Sequence, residues 1–172
     1  MKQLWAPWRM VYIDQESIDT GCIFCNRNRG VEESRQALVL ARTTHSMVML
    51  NKYPYNNGHL LLSPQQHQKD LSKLSVSEHA DLNEALRQTV DIVRRVLNPS
   101  GINLGMNLGK CAGAGIEDHL HWHIVPRWEG DTNFMPVIAD TRVMPQHLLD
   151  SYDRLAPHFQ NFHREVSQNA RG

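Results

Sequence analysis

Three histidines alternate with apolar residues near position 120, in the segment His119-Leu120-His121-Trp122-His123. In a β-strand, successive side chains point to opposite faces, so the three imidazoles are predicted to share one face and the apolar residues the other. Imidazole acts as a nucleophile, a metal ligand or a proton carrier near neutral pH. A single such histidine would most often be a hydrogen-bonded residue on a half-exposed strand. Three in a row predict a reactive site.

A glycine-rich loop, residues 109–115, precedes these histidines by a few positions. Glycine lets backbone N–H groups approach phosphate oxygens closely, and Lys110 could add a positive charge there. Taken alone, the loop would more often be a plain turn. Its place just before the histidines favours a contact with a phosphorylated substrate.

The elements that must position these residues follow from the hydrophobic pattern. Short apolar runs predict five antiparallel strands over residues 37–41, 47–50, 59–62, 102–108 and 119–125. The last strand is predicted to close at Pro126. The capping box Ser75-Val76-Ser77-Glu78 predicts the start of a long helix, which Asn98-Pro99 ends. The apolar stripe of that helix consists of Leu82, Leu86, Val90, Val93 and Leu97. The predicted fold class is α+β, with helices packed on one antiparallel sheet.

The chain has 172 residues, a length that fits one compact domain. We divide it into an irregular N-terminal arm (1–36), a central domain (37–144) and a C-terminal helical tail (145–172) with an interruption at Pro157. The 18 Lys and Arg residues balance the 18 Asp and Glu residues, which argues against a nucleic-acid partner. No apolar run approaches the ~20 residues that span a bilayer, and the N-terminus lacks a signal peptide's apolar stretch. We therefore expect a cytoplasmic protein without a membrane partner.

The alternating histidines, followed by two apolar residues, resemble the H-x-H-x-H signature of the histidine triad (HIT) nucleotide hydrolases and transferases. Residues 51–64, which contain Gly58-His59 and end at Pro64, resemble the segment upstream of that signature in the same family. Residues 4–10 and 126–134 resemble the branch of the family that acts on diadenosine polyphosphates. They lean toward the diadenosine tetraphosphate phosphorylases.

This resemblance implies a HIT-like fold with about five strands, a long helix packed on the sheet and a C-terminal helical tail. It also implies a homodimer, with the helix and an edge strand at the interface. The implied reaction is cleavage of a dinucleoside polyphosphate, or another AMP conjugate, at the α-phosphorus. The sequence leaves open whether water or inorganic phosphate accepts the AMP group, as in a hydrolase or in an ATP adenylyltransferase-like phosphorylase.

The resemblance also implies roles for single residues. His121 would be the nucleophile that forms a covalent His–AMP intermediate, His123 would bind the phosphate oxygens, and His59 is expected to meet the same phosphate. Asn51 matches the family's ribose-binding position. Many family members carry a hydroxyl or amide side chain just before the first triad histidine, where this chain has Gly115 and Ile116. The remaining nucleotide contacts are therefore expected from Asn107, Lys110, Gly113 and Gly115.

The pair Cys22-Ile23-Phe24-Cys25 has the spacing of a metal knuckle, but C-x-x-C alone also fits a redox pair or an incidental motif. A redox motif of thioredoxin type would lie in a βαβ unit, and none is predicted there. Tetrahedral zinc needs four ligands, so two more must come from elsewhere. Zinc-binding members of the HIT family pair such a motif with two histidines that match His67 and His119. The resemblance thus implies a structural zinc ion held by Cys22, Cys25, His67 and His119, and no cofactor required for catalysis.

Two other functions fit the same residues. A nucleotide-binding module would keep the pocket but turn over poorly, and any slow reaction would not depend on His121. A zinc-dependent hydrolase would use the triad as catalytic ligands, with an open coordination position and a bound water. We favour the enzyme with a histidine nucleophile, because nothing in the sequence disrupts the triad.

Overall fold

The computed structural model describes residues 21–26, 34–131, 146–162 and 166. Its strands form one antiparallel sheet of β1 (Val39–Arg42), β2 (Ser46–Leu50), β3 (Leu60–Pro64), β4 (Gly101–Met106) and β5 (Trp122–Arg127), in the order β1-β2-β3-β5-β4. The α-helices of the described residues are α1 (Ile23–Asn26), α2 (Val76–Leu97) and α3 (Leu148–Leu155), and 3₁₀ turns span Leu71–Lys73, Lys110–Ala112 and Ala156–Phe159. The predicted α+β class, with five antiparallel strands and one long helix, is confirmed.

Two segments that carry the resemblance extend beyond the described residues, namely all of 4–10 and positions 132–134. Pro145, the predicted start of the tail, also lies outside them. In the described part of the chain, no helix is both long enough and apolar enough to cross a bilayer.

Helix α2 begins and ends where the sequence predicts. The Ser75 hydroxyl accepts from the N–H of Glu78 at 3.3 Å, and the Glu78 carboxylate accepts from the N–H of Ser75 at 2.8 Å. These reciprocal bonds satisfy two N–H groups that the first helical turn would leave without partners. At the other end, Asn98 closes the helix in the left-handed conformation, directly before Pro99.

The buried face of α2 is rotated slightly from the predicted apolar stripe. Leu86 and Val90 lie at its half-buried margin, while the small residues Ala85 and Thr89 are fully buried. Small side chains at the contact let the helix approach the sheet closely. The Thr89 hydroxyl donates to the Ala85 carbonyl at 2.7 Å, so its burial leaves no donor without a partner. The other buried apolar residues of this face are Leu82, Ile92, Val93 and Leu97.

The two faces of the sheet are covered by different elements. One face carries the larger core, in which α2 and α3 pack on strand residues that include Ile124. The opposite face carries a smaller cluster, the α1 cluster, formed by Phe24, Val39, Met47, Met49 and Leu61. Cross-strand partners share a face, and His123 pairs with Leu61 whereas Ile124 pairs with Leu60. His123 therefore lies on the same face as the α1 cluster.

Strand β5 begins three residues later than predicted. The prediction that it starts at His119 is wrong, because the loop after β3 holds residues 119–121 outside the ladder. The N–H of Leu120 donates to the Gln68 carbonyl at 2.7 Å, and Nε2 of His119 lies 2.8 Å from the Pro64 carbonyl. Only His123 of the three histidines lies in β5, so the prediction that all three project from one face of a single regular strand is wrong.

Strand β5 also ends later than predicted, since it continues through Pro126 to Arg127. Pro126 pairs in register with Ile102 of β4. The Pro126 carbonyl accepts from the Asn56 side chain at 3.1 Å, so this carbonyl faces the loop before β3. No ladder bond needs the missing N–H of the proline at this position.

The C-terminal residues pack against the larger core. The Tyr152 hydroxyl donates to the Val39 carbonyl at 2.9 Å, and the Arg154 guanidinium donates to the Val96 carbonyl at 2.6 Å. After α3, the chain forms a 3₁₀ turn that contains Pro157. The predicted helical tail with an interruption at this proline is confirmed for the described residues.

Candidate active site

His121 is held in one tautomer by the backbone of a neighbouring residue. Its Nδ1 lies 2.8 Å from the His119 carbonyl oxygen, and because a carbonyl can only accept, Nδ1 carries the proton. The lone pair of the neutral ring is therefore on Nε2. Burial lowers the pKa of His121 from its ordinary value of 6.5, and the hydrogen bond to His119 offsets part of this shift. The neutral, nucleophilic ring is favoured.

A chain of hydrogen bonds fixes the protons of His59 and His123. The N–H of Tyr55 donates to Nδ1 of His59 at 3.0 Å, so in the neutral ring the proton of His59 is on Nε2. This Nε2 lies 3.0 Å from Nδ1 of His123 and therefore donates to it. The neutral His123 ring consequently carries its own proton on Nε2. At that atom His123 is a hydrogen-bond donor.

Asn51 lies beside His59, as the predicted site requires. Its Nδ2 is 3.3 Å from Nδ1 of His59, and its Oδ1 accepts from the N–H of Tyr53 at 3.0 Å. His59 itself is fully buried. Contacts of Asn51 with a ribose and of His59 with a phosphate stay predictions.

Tyr55 is a site residue that the sequence analysis missed. Its ring centroid lies 4.6 Å from that of His59 and 5.4 Å from that of His123, and it is nearly parallel to His123 at 19°. An aromatic residue four positions before His59, inside the segment that resembles the HIT family, was the available signal.

The loop that carries Tyr55 is held by a turn at Gly58 and by a hydrogen bond from the Asn56 side chain. Gly58 has a φ of +66°, and a Cβ at this position would overlap the Leu97 side chain, so the turn needs glycine. The Asn56 side chain donates to Asp131 at 2.6 Å, and the Asp131 carboxylate also pairs with Arg127 at 2.7 and 2.8 Å. These contacts hold the backbone that orients His59.

The glycine-rich loop follows β4. Asn107 donates from Nδ2 to the Gly113 carbonyl at 3.4 Å, which braces the loop across its 3₁₀ turn. Gly109 and Gly113 have φ values of +81° and +88°, a region that glycine adopts without strain. Lys110 and Gly115 are exposed. Nucleotide binding by Asn107, Lys110, Gly113 and Gly115 stays a prediction.

The predicted metal ligands Cys22, Cys25, His67 and His119 converge, with their ligand atoms within 4.8 Å of one another. Nδ1 of His119 lies 3.2 Å from Sγ of Cys22 and 3.6 Å from Sγ of Cys25, and Nδ1 of His67 lies 3.2 Å from Sγ of Cys25. Ligands about 2.2 Å from a tetrahedral metal are separated by about 3.6 Å. The four residues could therefore hold a metal ion.

His119 has the tautomer that metal binding needs. Its Nε2–H donates to the Pro64 carbonyl at 2.8 Å, so the lone pair on Nδ1 faces the two thiols. Burial lowers the pKa of His119, which favours the neutral ring. Burial and the neighbouring Cys22 raise the pKa of the Cys25 thiol, so binding of a metal would release a proton there.

Comparison with known proteins identifies the family. A family model of the HIT domain matches residues 32–130. The chain is 35% identical over 162 residues to the AP-4-A phosphorylase of Mycobacterium tuberculosis, a match that covers 91% of this chain and 83% of the relative. It is 34% identical over 93 residues to the asymmetrical bis(5'-nucleosyl)-tetraphosphatase of Schizosaccharomyces pombe, with 54% and 50% covered. A zinc-bound histidine triad family protein from Mycobacterium smegmatis has a similar fold, with a TM-score of 0.59 at 20% identity over 87% of this chain and 95% of that one.

The chain therefore belongs to the HIT family, as its alternating histidines and residues 51–64 had indicated. The predicted family is confirmed. The predicted class, a nucleotide-processing enzyme of that family, is confirmed too, since relatives are named as a phosphorylase and a tetraphosphatase.

Proposed function

We propose that this protein cleaves dinucleoside polyphosphates, or related AMP conjugates, at the α-phosphorus through a covalent intermediate on His121. The observation that carries this proposal is the hydrogen bond from Nδ1 of His121 to the His119 carbonyl, which leaves the Nε2 lone pair as the nucleophile. The identity of 35% with a named phosphorylase, over 91% of the chain, supports the substrate class.

The reaction has two displacements at the same phosphorus. Nε2 of His121 attacks, the N–P bond forms as the bridging P–O bond breaks, and the leaving polyphosphate oxygen takes that electron pair. His123 donates a hydrogen bond from Nε2 to the phosphate oxygens as their charge grows. An acceptor oxygen then attacks phosphorus and the N–P bond breaks, which restores the His121 lone pair.

The acceptor decides the product of the second displacement. Water would release AMP, and inorganic phosphate would release ADP. The Mycobacterium tuberculosis relative is a phosphorylase by name, which favours phosphate as the acceptor here.

His59 acts through His123 in this proposal. Its Nδ1 accepts from Tyr55 and lies near the Asn51 amide, its Nε2 donates to His123, and the ring is fully buried. These contacts support a positioning role for His59 in place of a direct phosphate contact. The nucleotide itself would be held by Asn51 at the ribose and by the glycine-rich loop at the phosphates.

The cysteine and histidine group is proposed to hold a structural zinc ion. Two thiols and two imidazoles form a donor set typical of structural zinc, and four protein ligands leave no coordination position for a catalytic water. Nδ1 of His119 faces the two thiols and its Nε2–H donates to the Pro64 carbonyl, so His119 could not also be a ligand of a zinc ion held by the triad, which argues against the zinc-dependent hydrolase. When bound, the ion would tie Cys22 and Cys25 in the N-terminal arm to His67 and His119 beside the active site.

We further propose that the protein is a homodimer in the cytoplasm. We propose no nucleic-acid partner and no membrane partner. Strand β4 is at one edge of the sheet, and Leu104 and Leu108 are 46% and 53% exposed there. An apolar sheet edge supports pairing with a second copy of the chain. We also keep the division into an arm (1–36), a HIT domain (37–144) and a tail (145–172).

Product analysis with diadenosine tetraphosphate, with and without inorganic phosphate, tests the proposal. We expect ATP and ADP when phosphate is present, and a loss of about 10³-fold or more in His121→Ala, because the nucleophile is gone. His79→Ala, an exposed histidine on α2, is the matched control and should keep the wild-type rate. Full activity in His121→Ala would contradict the proposal. Tight nucleotide binding without turnover in the wild-type protein would favour the nucleotide-binding module.

A further inference from the structure

Phe24, one of the two residues between Cys22 and Cys25, contacts the rings of His119 and His121. Its ring centroid lies 4.9 Å from that of His119 and 5.1 Å from that of His121, with the planes tilted by 48° and 36°. The Phe24 side chain is only 1% exposed. An aromatic ring of the N-terminal arm therefore forms one wall of the site of the predicted nucleophile.

The Phe24 side chain also packs on strand residues of the sheet. It belongs to the α1 cluster, with Val39 of β1, Met47 and Met49 of β2, and Leu61 of β3. Strand β3 also pairs with β5, in which Leu61 lies opposite His123. The ring of Phe24 is thus fixed relative to β3, which His59 directly precedes and which pairs with the strand that carries His123.

Among the described residues, at least three groups next to the His121 ring limit its rotation. The His119 carbonyl binds Nδ1 at 2.8 Å, and the His123 ring lies 5.0 Å away in an edge-on arrangement at 66°. Phe24 is the third neighbour. A single hydrogen bond fixes one atom of the ring, whereas packing of an aromatic neighbour restricts its side-chain torsions and hence the direction of Nε2.

We propose that Phe24 is a positioning residue for the reaction, which rests on the proposed role of His121 as the nucleophile. The role assigned to Phe24 acts through its contact with the His121 ring. Phe24 holds the imidazole so that the Nε2 lone pair points at the α-phosphorus when substrate is bound. A displacement of the nucleophile by about 1 Å can slow such a step about 100-fold.

The test compares Phe24→Leu with Phe24→Ala and Ile23→Ala. Leucine keeps an apolar side chain in the α1 cluster but has no ring to lie against His121. Ile23 is the matched control, because it is in α1 and packs on the same cluster but has no aromatic ring. Each variant is assayed for zinc content and thermal unfolding, and rates are referred to the folded, zinc-containing fraction.

The decisive measurement is the rate of AMP transfer to His121 in a single turnover with diadenosine tetraphosphate and enzyme in excess. We expect Phe24→Leu to slow adduct formation about tenfold or more, with KM within about twofold of wild type and unchanged zinc content. Phe24→Ala should be at least as slow, and Ile23→Ala should match the wild-type rate. A fall in kcat without a rise in KM distinguishes positioning from substrate binding.

Two results would overturn the inference alone. Wild-type adduct formation in Phe24→Leu would show that the ring is not required, and equal slowing in Ile23→Ala would show a general effect of α1. If wild-type protein forms no adduct on His121 while it releases product, the proposed function fails and the inference fails with it. His121→Ala, measured in parallel, separates these cases.

Discussion

Three backbone groups set the protons of the site histidines. The His119 carbonyl accepts from the His121 ring, and the Pro64 carbonyl accepts from the His119 ring. The N–H of Tyr55 donates to the His59 ring. A backbone group cannot exchange its donor or acceptor role, so each of these tautomers is decided by the course of the chain. The result is a His121 ring with its lone pair on Nε2, as the proposed nucleophile needs, and a neighbour, His123, with its proton on Nε2.

The pH dependence of the reaction follows from the burial of His121. Burial lowers the pKa of this ring below 6.5, so the ring stays neutral at pH values where a free histidine would be half protonated. Acidification through the lowered pKa removes the lone pair. We expect kcat/KM for diadenosine tetraphosphate to be level near neutral pH and to fall with a midpoint below about 6.5. A midpoint above that value would contradict the assignment of His121.

Substitution of Asn51 separates its two possible contacts. The amide lies beside His59, and the family resemblance predicts that it also contacts the ribose. In Asn51→Ala we expect the preference for diadenosine tetraphosphate over its 2′-deoxy analogue, measured as a ratio of kcat/KM, to weaken by about tenfold. Asn83→Ala, an exposed asparagine on α2, should keep the wild-type ratio. An unchanged ratio in Asn51→Ala, with a lower kcat, would remove the ribose contact and leave only the support of His59.

At the scale of elements, local signals were sufficient for most of the fold. The capping box at Ser75 and the helix stop at Asn98-Pro99 are contained in a few adjacent residues, and both are confirmed. Apolar runs located all five strands of the described sheet to within a few residues. The start of β5 was missed, because the groups that hold residues 119–121 come from Pro64 and Gln68, more than fifty positions away.

In the candidate site, too, some features have a signal in the sequence and others depend on groups that only the fold brings together. The grouping of Cys22 and Cys25 with His67 and His119 could be predicted, since the family resemblance supplied partners that spacing alone does not. The tautomers of the histidines could not be predicted, because the positions of backbone carbonyls and N–H groups have no sequence signature. Phe24 was equally hidden, since its side chain type indicates a core residue and only the fold brings it to His121.

Removal of the metal should act on stability. Loss of the ion would free α1 from His67 and His119, so we expect a chelator, or Cys25→Ala, to lower the thermal unfolding midpoint by about 5–10 °C, equivalent to about 2–3 kcal/mol. Cys111→Ala removes an exposed cysteine outside the group and serves as the control. Zinc content is measured in each sample. Unchanged zinc content and midpoint in Cys25→Ala would contradict the structural site.

For the whole molecule, the sheet has two edges with different surroundings. At β1, the Val39 carbonyl accepts from Tyr152 of α3, and β1 also packs on the 3₁₀ turn that follows α3. At β4, residues are exposed or half-buried along the entire strand, and among the described residues a Cβ added at Gly101 or Gly105 would meet no atom within 4 Å. As far as the described residues show, β4 is the more open edge, and we expect a second copy to pair there.

Disruption of that edge should give a monomer. We expect the wild-type protein to have twice the 19.8 kDa mass of the chain by size-exclusion chromatography with light scattering. Leu104→Lys places a charge in the apolar edge and should halve that mass. Thr44→Lys adds the same charge in the exposed turn between β1 and β2, and should leave the mass unchanged. A wild-type monomer, or a dimer that persists in Leu104→Lys, would contradict pairing through β4.

The most direct test of the nucleophile is mass spectrometry of protein quenched during turnover of diadenosine tetraphosphate. The quench uses denaturant at alkaline pH, because phosphorus–nitrogen bonds of phosphohistidine type break in acid. Peptide mapping should find one AMP group on His121, and His121→Ala should carry none. Continued product release with no adduct, or with AMP attached to a different residue, would contradict a covalent role for His121.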